Sequence, residues 1–189
     1  MSNPHDARLL FSFPVDQGAR KLKELIVYIS DRCADDNSFG AIMLNKILYH
    51  SDFRAFERTA RPITGTQYFK LPQGPAPKAL LPVRRELIDE GAITLQQVPI
   101  GDYTQDRTIA HRKAALSLFS DDEIAIVDEV IEELRGMPAV EISEASHDVR
   151  WRALQMRDTM PYSYVALSNK AVTANEITRT EELKEKYNW

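Results

Sequence analysis

Four histidines, one cysteine and a scatter of carboxylates are the residues of this chain that could do chemistry. Their spacing decides which chemistry is open. His5, His50, His111 and His147 stand far apart, and neither an H-x-x-x-H nor a C-x-x-C pair occurs. No metal-ligand set is therefore written into a short segment. His50 and Asp52 are two residues apart, which on a helix points them in different directions. No Gly-x-Ser-x-Gly turn is present for a serine nucleophile, and Ser146 next to His147 is not a working pair by adjacency alone. The seven glycines form no phosphate-cradling loop. Cys33 lies in an apolar helical stripe, where a thiol serves packing. What remains is a group of polar residues, Lys46, Asp52, Tyr68 and His147. Converging in one pocket, they would be candidates for acid–base work. The leading reading is structural: Lys46 and Asp52 as an ion pair or cap, and His147 packed beside Trp151 and bonded to backbone. No catalytic residue, metal or cofactor is assigned.

The bulk properties bound the answer. A chain of 189 residues with 43% hydrophobic and 28% charged residues suits one globular domain with appendages. A net charge of −4 weighs against broad nucleic-acid binding. The lone cysteine excludes an internal disulfide. No apolar run reaches the length of a membrane span, and MSNPHDARLL lacks the form of a secretory signal. The expected location is the cytoplasm.

The elements that must position these residues follow from periodicity. Residues 1–16 read as an irregular arm, 17–168 as the helical domain and 169–189 as a helical tail. Leu22, Leu25, Ile26, Ile29 and Cys33 mark one face of a helix over 17–35. A second helix, 40–59, is apolar on more than one side, as a central buried element would be. Asp52 shares a face there with Leu48, Ala55 and Phe56, a costly place for a carboxylate without partners. The segment RPITGTQYFKLPQGPAPKAL, Arg61 to Leu80, follows with four prolines and two glycines. It reads as a long non-helical crossing. A third helix is expected over 77–90, with Pro77 at its first position and Gly91 just past its end. A β-hairpin follows over 92–112. Ser120 to Glu123 is a capping box opening a helix that ends near Gly136. VEISEASHDVRWRAL reads as helix in two short pieces. Residues 160–168 fit no element, and a capping box at Thr173–Glu176 opens a charged terminal helix. The fold class is mainly α (α+β), a compact helical domain with one small hairpin.

Element order also matches a winged helix, in which the hairpin would be the wing. The candidate wing carries Arg107, His111, Arg112 and Lys113. Helix three offers Lys78, Arg84 and Arg85, balanced by Glu86, Asp89 and Glu90, so DNA binding is the minor reading.

The stretch LNKILYHSDFRAFERTARPITGTQYFKLPQGPAP, Leu44 to Pro77, resembles the core motif of the Panacea domain, the SocA-like antitoxin family. KLKELIVYISDRC upstream, and LSLFSDDEIAIVDEVIEEL with EISEASHDVRW downstream, resemble its other helices, so the likeness covers about residues 20–155. His50, Ser51 and Gln73 depart from the pattern. The resemblance implies an antitoxin of a bacterial or phage toxin–antitoxin system, with phage defence as one setting. It would neutralise a cognate protein toxin by direct protein–protein binding. A protease adaptor that delivers the toxin to a cellular protease is the alternative, and self-association is open. No member is an established enzyme. Within this reading Tyr68, Gly74, Pro75 and Thr64 are placed at the functional surface, with Lys46, Asp52, His147 and Trp151 as its scaffold; the equal alternative is that the segment packs across the second helix, with Asp52 or Lys46 tying down its backbone. Tyr68→Ala would then weaken toxin binding with the fold largely intact.

Overall fold

The computed structural model describes residues 15–100, 103–167 and 174–187. It is an α+β fold built around one buried helix. That helix, α2 (Ala41–Thr59), buries residues on several sides, among them Leu44, Lys46, Leu48, Tyr49, Asp52 and Phe53. Its apolar residues face more than one way, so other elements must cover it all round. α1 (Gly18–Arg32) packs on one side through Leu22, Leu25, Ile26 and Ile29. α4 (Asp121–Leu134) packs on another through Ile126, Val127, Val130 and Ile131. α4 starts where expected: the Ser120 hydroxyl accepts from the Glu123 N–H, and the Glu123 carboxylate accepts from the Ser120 N–H. α2 ends at Ala60, whose φ of 57° is left-handed, and Pro62 cannot continue a helix.

The crossing from Arg61 to Leu80 is not an irregular loop. It holds a second hairpin, β1 (Tyr68–Leu71) and β2 (Gly74–Pro77), joined by Pro72 and Gln73. The expectation of one hairpin is corrected accordingly. Its register pairs Tyr68 with Pro77, Phe69 with Ala76, Lys70 with Pro75 and Leu71 with Gly74. The Lys78 N–H donates to the Gln67 carbonyl next to this ladder. Antiparallel pairs alternate between bonded and non-bonded, so Pro75 and Pro77 occupy the non-bonded positions. Neither proline is asked for the N–H it lacks. β2 is an edge strand, the place where proline is tolerated and where it blocks further pairing. Pro77 therefore closes a strand and does not open the third helix. That helix, α3, runs Leu80–Asp89, and Gly91 follows it with φ 67°.

The expected hairpin is β3 (Ile93–Ile100) with β4 (Tyr103–Ala110), paired antiparallel from Ile93↔Ala110; its Gly101-Asp102 turn lies outside the described residues. α5 (Ala139–Ala145) and α6 (Val149–Arg152) are the two short helical pieces. Residues 160–166 of the segment that fitted no element take up structure, and residue 168 lies outside the described residues. β5 (Thr159–Met160) adds to β1, giving the order β2-β1-β5, and a 3-10 turn covers Tyr162–Ala166. α7 (Ala174–Tyr187) is the terminal helix. Thr173, its expected cap, lies outside the described residues, as does most of the N-terminal arm. No helix among the described residues is long and apolar enough to cross a membrane.

Candidate functional site

The β1–β2 hairpin lies on α2, and three groups of contacts hold it there. At its base Asp52 is 1% exposed. Its Oδ1 accepts from the Thr64 N–H at 2.7 Å, and Oδ2 meets the Thr64 hydroxyl at 2.5 Å and the Tyr68 hydroxyl at 2.8 Å. The Tyr162 hydroxyl reaches the same oxygen at 3.3 Å. Tyr68 also donates to the Leu48 carbonyl, and Tyr162 to that of Thr66, both at 2.8 Å. Burial pushes the Asp52 carboxyl up, and its polar contacts with Thr64, Tyr68 and Tyr162 pull the other way. Burial, then the nearby Asp52 carboxyl, holds both tyrosine hydroxyls well above their usual range.

In the middle of the hairpin, Lys46 is 1% exposed and donates to the Pro75 carbonyl at 3.1 Å. Gly74 passes directly over it with φ +90°. A Cβ on Gly74 would stand 2.1 Å from Ser146 Oγ and 2.7 Å from Lys46 Nζ. Only a residue without a side chain fits at this crossing. Burial alone brings the Lys46 amine down to about 7. The unfolded lysine keeps its proton to about 10.4, so between the two values the unfolded state binds more protons and stability rises with pH. Lys46→Met is accordingly expected to stabilise the fold at pH 6.5, by up to about 4 kcal/mol. The advantage shrinks as pH rises toward 10. Denaturant unfolding of both proteins at pH 6.5 and 9.5 checks this; an advantage independent of pH would contradict it.

At the tip, the strand ends are gripped from the α5–α6 segment. Asp148 caps α6 by accepting from the N–H groups of Arg150 and Trp151, and this fixes Trp151. The Trp151 indole N–H donates to the Leu71 carbonyl at 3.0 Å. His147 stacks on Trp151 with ring centroids 4.0 Å apart, and its Nε2 lies 3.0 Å from the Pro72 carbonyl. Lys70 sets its ammonium 3.7 Å from the Trp151 ring centroid and donates to the Leu154 carbonyl.

The expected surface residues are therefore inside. Tyr68 is 0% exposed and Thr64 3%; Gly74 and Pro75 are buried strand residues. Of the two readings of this stretch, their burial is that of a segment packed across α2. The cause is the hairpin, which turns a proline-rich crossing into a strand pair laid on α2. Lys46 and Asp52 sit beneath it and do not pair with each other. Lys46, Asp52, Tyr68 and His147 do not converge either. Asp52 and Tyr68 meet, while the bonds of Lys46 and His147 run to the carbonyls of Pro75 and Pro72. Three participants were not singled out from sequence: Tyr162, Lys70 and the hydroxyl of Ser146. Tyr162 lies 110 residues from Asp52, and no local pattern could have joined them.

Cations of the β3–β4 hairpin and its exit are also engaged. Arg107 donates to the carbonyls of Cys33 and Ala34. Arg112 grips Glu24 through two bonds of 2.6 and 2.7 Å, and Lys113 pairs with Asp31. His111 bonds Thr94, and Arg84 of α3 is buried. Cys33 is buried, and burial raises its thiol to about 12. Among the described residues no group of three His, Cys, Asp or Glu side chains gathers to hold a metal.

Fold and site together define a small α+β protein whose densest motif fixes a buried hairpin on its central helix. Residues 44–152, more than half of the chain, match the family described as antitoxin SocA-like, Panacea domain, and the protein belongs to that family. The match runs from α2 through α6 and is narrower than the 20–155 expected from the motifs. It takes in the hairpin with its Asp52, Lys46 and Trp151 contacts and leaves out Tyr162. No curated protein and no solved structure matches the chain.

Proposed function

We propose that this protein is an antitoxin that neutralises a protein toxin by direct, stoichiometric binding in the cytoplasm. The observation that carries this reading is its membership of the SocA-like antitoxin family across residues 44–152. The internal contacts support a binding protein over an enzyme. The residues that could do acid–base chemistry are spent separately, on one buried hairpin. The engaged cations of the β3–β4 hairpin favour a protein partner over DNA.

With Tyr68, Thr64, Gly74 and Pro75 buried, we assign the toxin contact to the outer side of α3. Leu81 is 73% exposed and Ile88 39% exposed. Seven residues apart, they share one helical face with exposed Arg85. Exposed apolar side chains grouped with an arginine are the composition of an interface core. The double variant Leu81→Glu/Ile88→Glu is expected to weaken toxin binding at least tenfold, as truncated hot spots do. Its melting temperature should stay within a few degrees of the parent, because both positions face solvent. Growth rescue by parent and variant, each co-expressed with the neighbouring gene's product, tests both parts. Rescue by the parent alone supports the assignment. Equal rescue and equal affinity would move the contact elsewhere, and failure of the parent to rescue would remove the antitoxin reading.

A further inference from the structure

The contacts around Asp52 can be counted in protons. Four short contacts there involve no N–H: Thr64 Oγ1 to Asp52 Oδ2 at 2.5 Å, Tyr68 Oη to Leu48 O at 2.8 Å, Tyr68 Oη to Asp52 Oδ2 at 2.8 Å, and Tyr162 Oη to Thr66 O at 2.8 Å. Each is at or below the usual length of a two-centre O–H···O bond, whereas a hydrogen shared between two acceptors leaves its contacts longer, so each takes its own hydrogen. The backbone carbonyls of Leu48 and Thr66 hold none. The hydroxyls of Thr64, Tyr68 and Tyr162 hold one apiece. Three protons cannot fill four contacts. If Tyr68 donates to Leu48, its oxygen can meet Asp52 only as an acceptor, and the donor must be the carboxyl itself. The longer 3.3 Å approach of Tyr162 to the same carboxyl oxygen fits a hydroxyl whose proton is committed to Thr66.

We infer that Asp52 is a neutral carboxylic acid in the folded protein and donates its proton to Tyr68, so that closing the 60–67 loop and the β1–β2 hairpin onto α2 takes up one proton. The surroundings agree. The titratable groups facing Asp52 are Tyr68 from β1 and Tyr162 from the 3-10 turn, both neutral phenols. The loop contributes the Thr64 hydroxyl and N–H, and α2 the Leu48 carbonyl. α1 brings Gly18 against the Thr64 carbonyl and adds no charge. The cations of the same helix are engaged elsewhere, Lys46 with Pro75, Arg54 with Glu133 and Arg58 with Glu129. A carboxylate in such a place would stand buried without a countercharge. The inference does not rest on the antitoxin reading.

Two measurements decide it. The first is infrared spectroscopy in D2O at pH 7 on protein labelled with 13C at the aspartate carboxyls. A protonated-carboxyl C=O band is expected in the native protein, shifted by the label, absent from Asp52→Asn and lost on unfolding at the same pH. The native and unfolded spectra suffice even if Asp52→Asn fails to fold, and no such band in the native protein would overturn the inference. The second is stability against pH for the parent and Asp52→Asn, in which asparagine keeps a donor and an acceptor. A folded carboxyl raised above its unfolded value of about 3.9 contributes fully below that value and loses the contribution as pH rises through its folded one. The parent-to-variant ratio of folding constants should therefore fall about tenfold per pH unit above roughly pH 4. Lys46 is common to both proteins and cancels. A ratio that instead rises between pH 3 and 5 would mark an ionised carboxylate and overturn the inference.

Discussion

Gly74→Ala is expected to cost about 2–4 kcal/mol and to loosen the β1–β2 hairpin from α2. Two effects add. A backbone φ of +90° strains any residue with a Cβ, and the added carbon would stand 2.1 Å from Ser146 Oγ and 2.7 Å from Lys46 Nζ. Ser146 can rotate only by giving up its bond to the Ser143 carbonyl. Lys46 can retreat only by giving up Pro75. The interior around both is close-packed, so neither shift is free. Urea unfolding checks this, with Gly91→Ala as a control, since its φ of +67° carries the strain but nothing lies within 4 Å of its Cβ. Equal losses at the two positions would mean that the packing over Lys46 contributes nothing.

Tyr68→Ala is expected to be the most damaging single truncation at the site, costing about 3–5 kcal/mol as for other buried aromatics. The ring is fully buried and meets Tyr49, Phe53 and Tyr162 edge-on, with centroids 5.6, 5.7 and 6.2 Å away. Its hydroxyl bridges the Leu48 carbonyl and Asp52. Tyr68→Phe separates the two contributions: it keeps the ring and strands those partners, which costs about 1–3 kcal/mol. This replaces the sequence expectation that Tyr68→Ala would weaken a toxin contact with the fold largely intact. Thermal unfolding of both variants measures it. An alanine variant within about 1 kcal/mol of the parent would place Tyr68 outside the core.

The helices were legible because each carries its own local signal. α4 has its capping box and α1 its apolar stripe, and α2 is apolar on several sides because it is covered on several sides. Asp52 could be marked as costly in such a stripe, though its partners could not be named from periodicity. The hairpin at 68–77 was illegible for a physical reason. Gly-Pro-Ala-Pro has poor strand propensity and forms a strand only because its prolines fall on non-bonded positions of an edge. β5 and Tyr162 were hidden for another. Their pairing is set by contacts with residues about 90 to 110 positions away in sequence, and short segments with no period of their own record nothing of such contacts. Two readings of the stretch stayed open because glycine, proline and tyrosine in one stretch look alike whether they shape an exposed loop or a buried turn.

The most direct test of the antitoxin reading follows the toxin itself. The chain is co-expressed with the neighbouring gene's product, and growth, toxin level and complex size are measured on the same cells. Stoichiometric neutralisation predicts restored growth, undiminished toxin and a co-purifying complex of both chains in fixed ratio. Restored growth with the toxin depleted and no complex would contradict direct neutralisation and identify delivery to a protease instead.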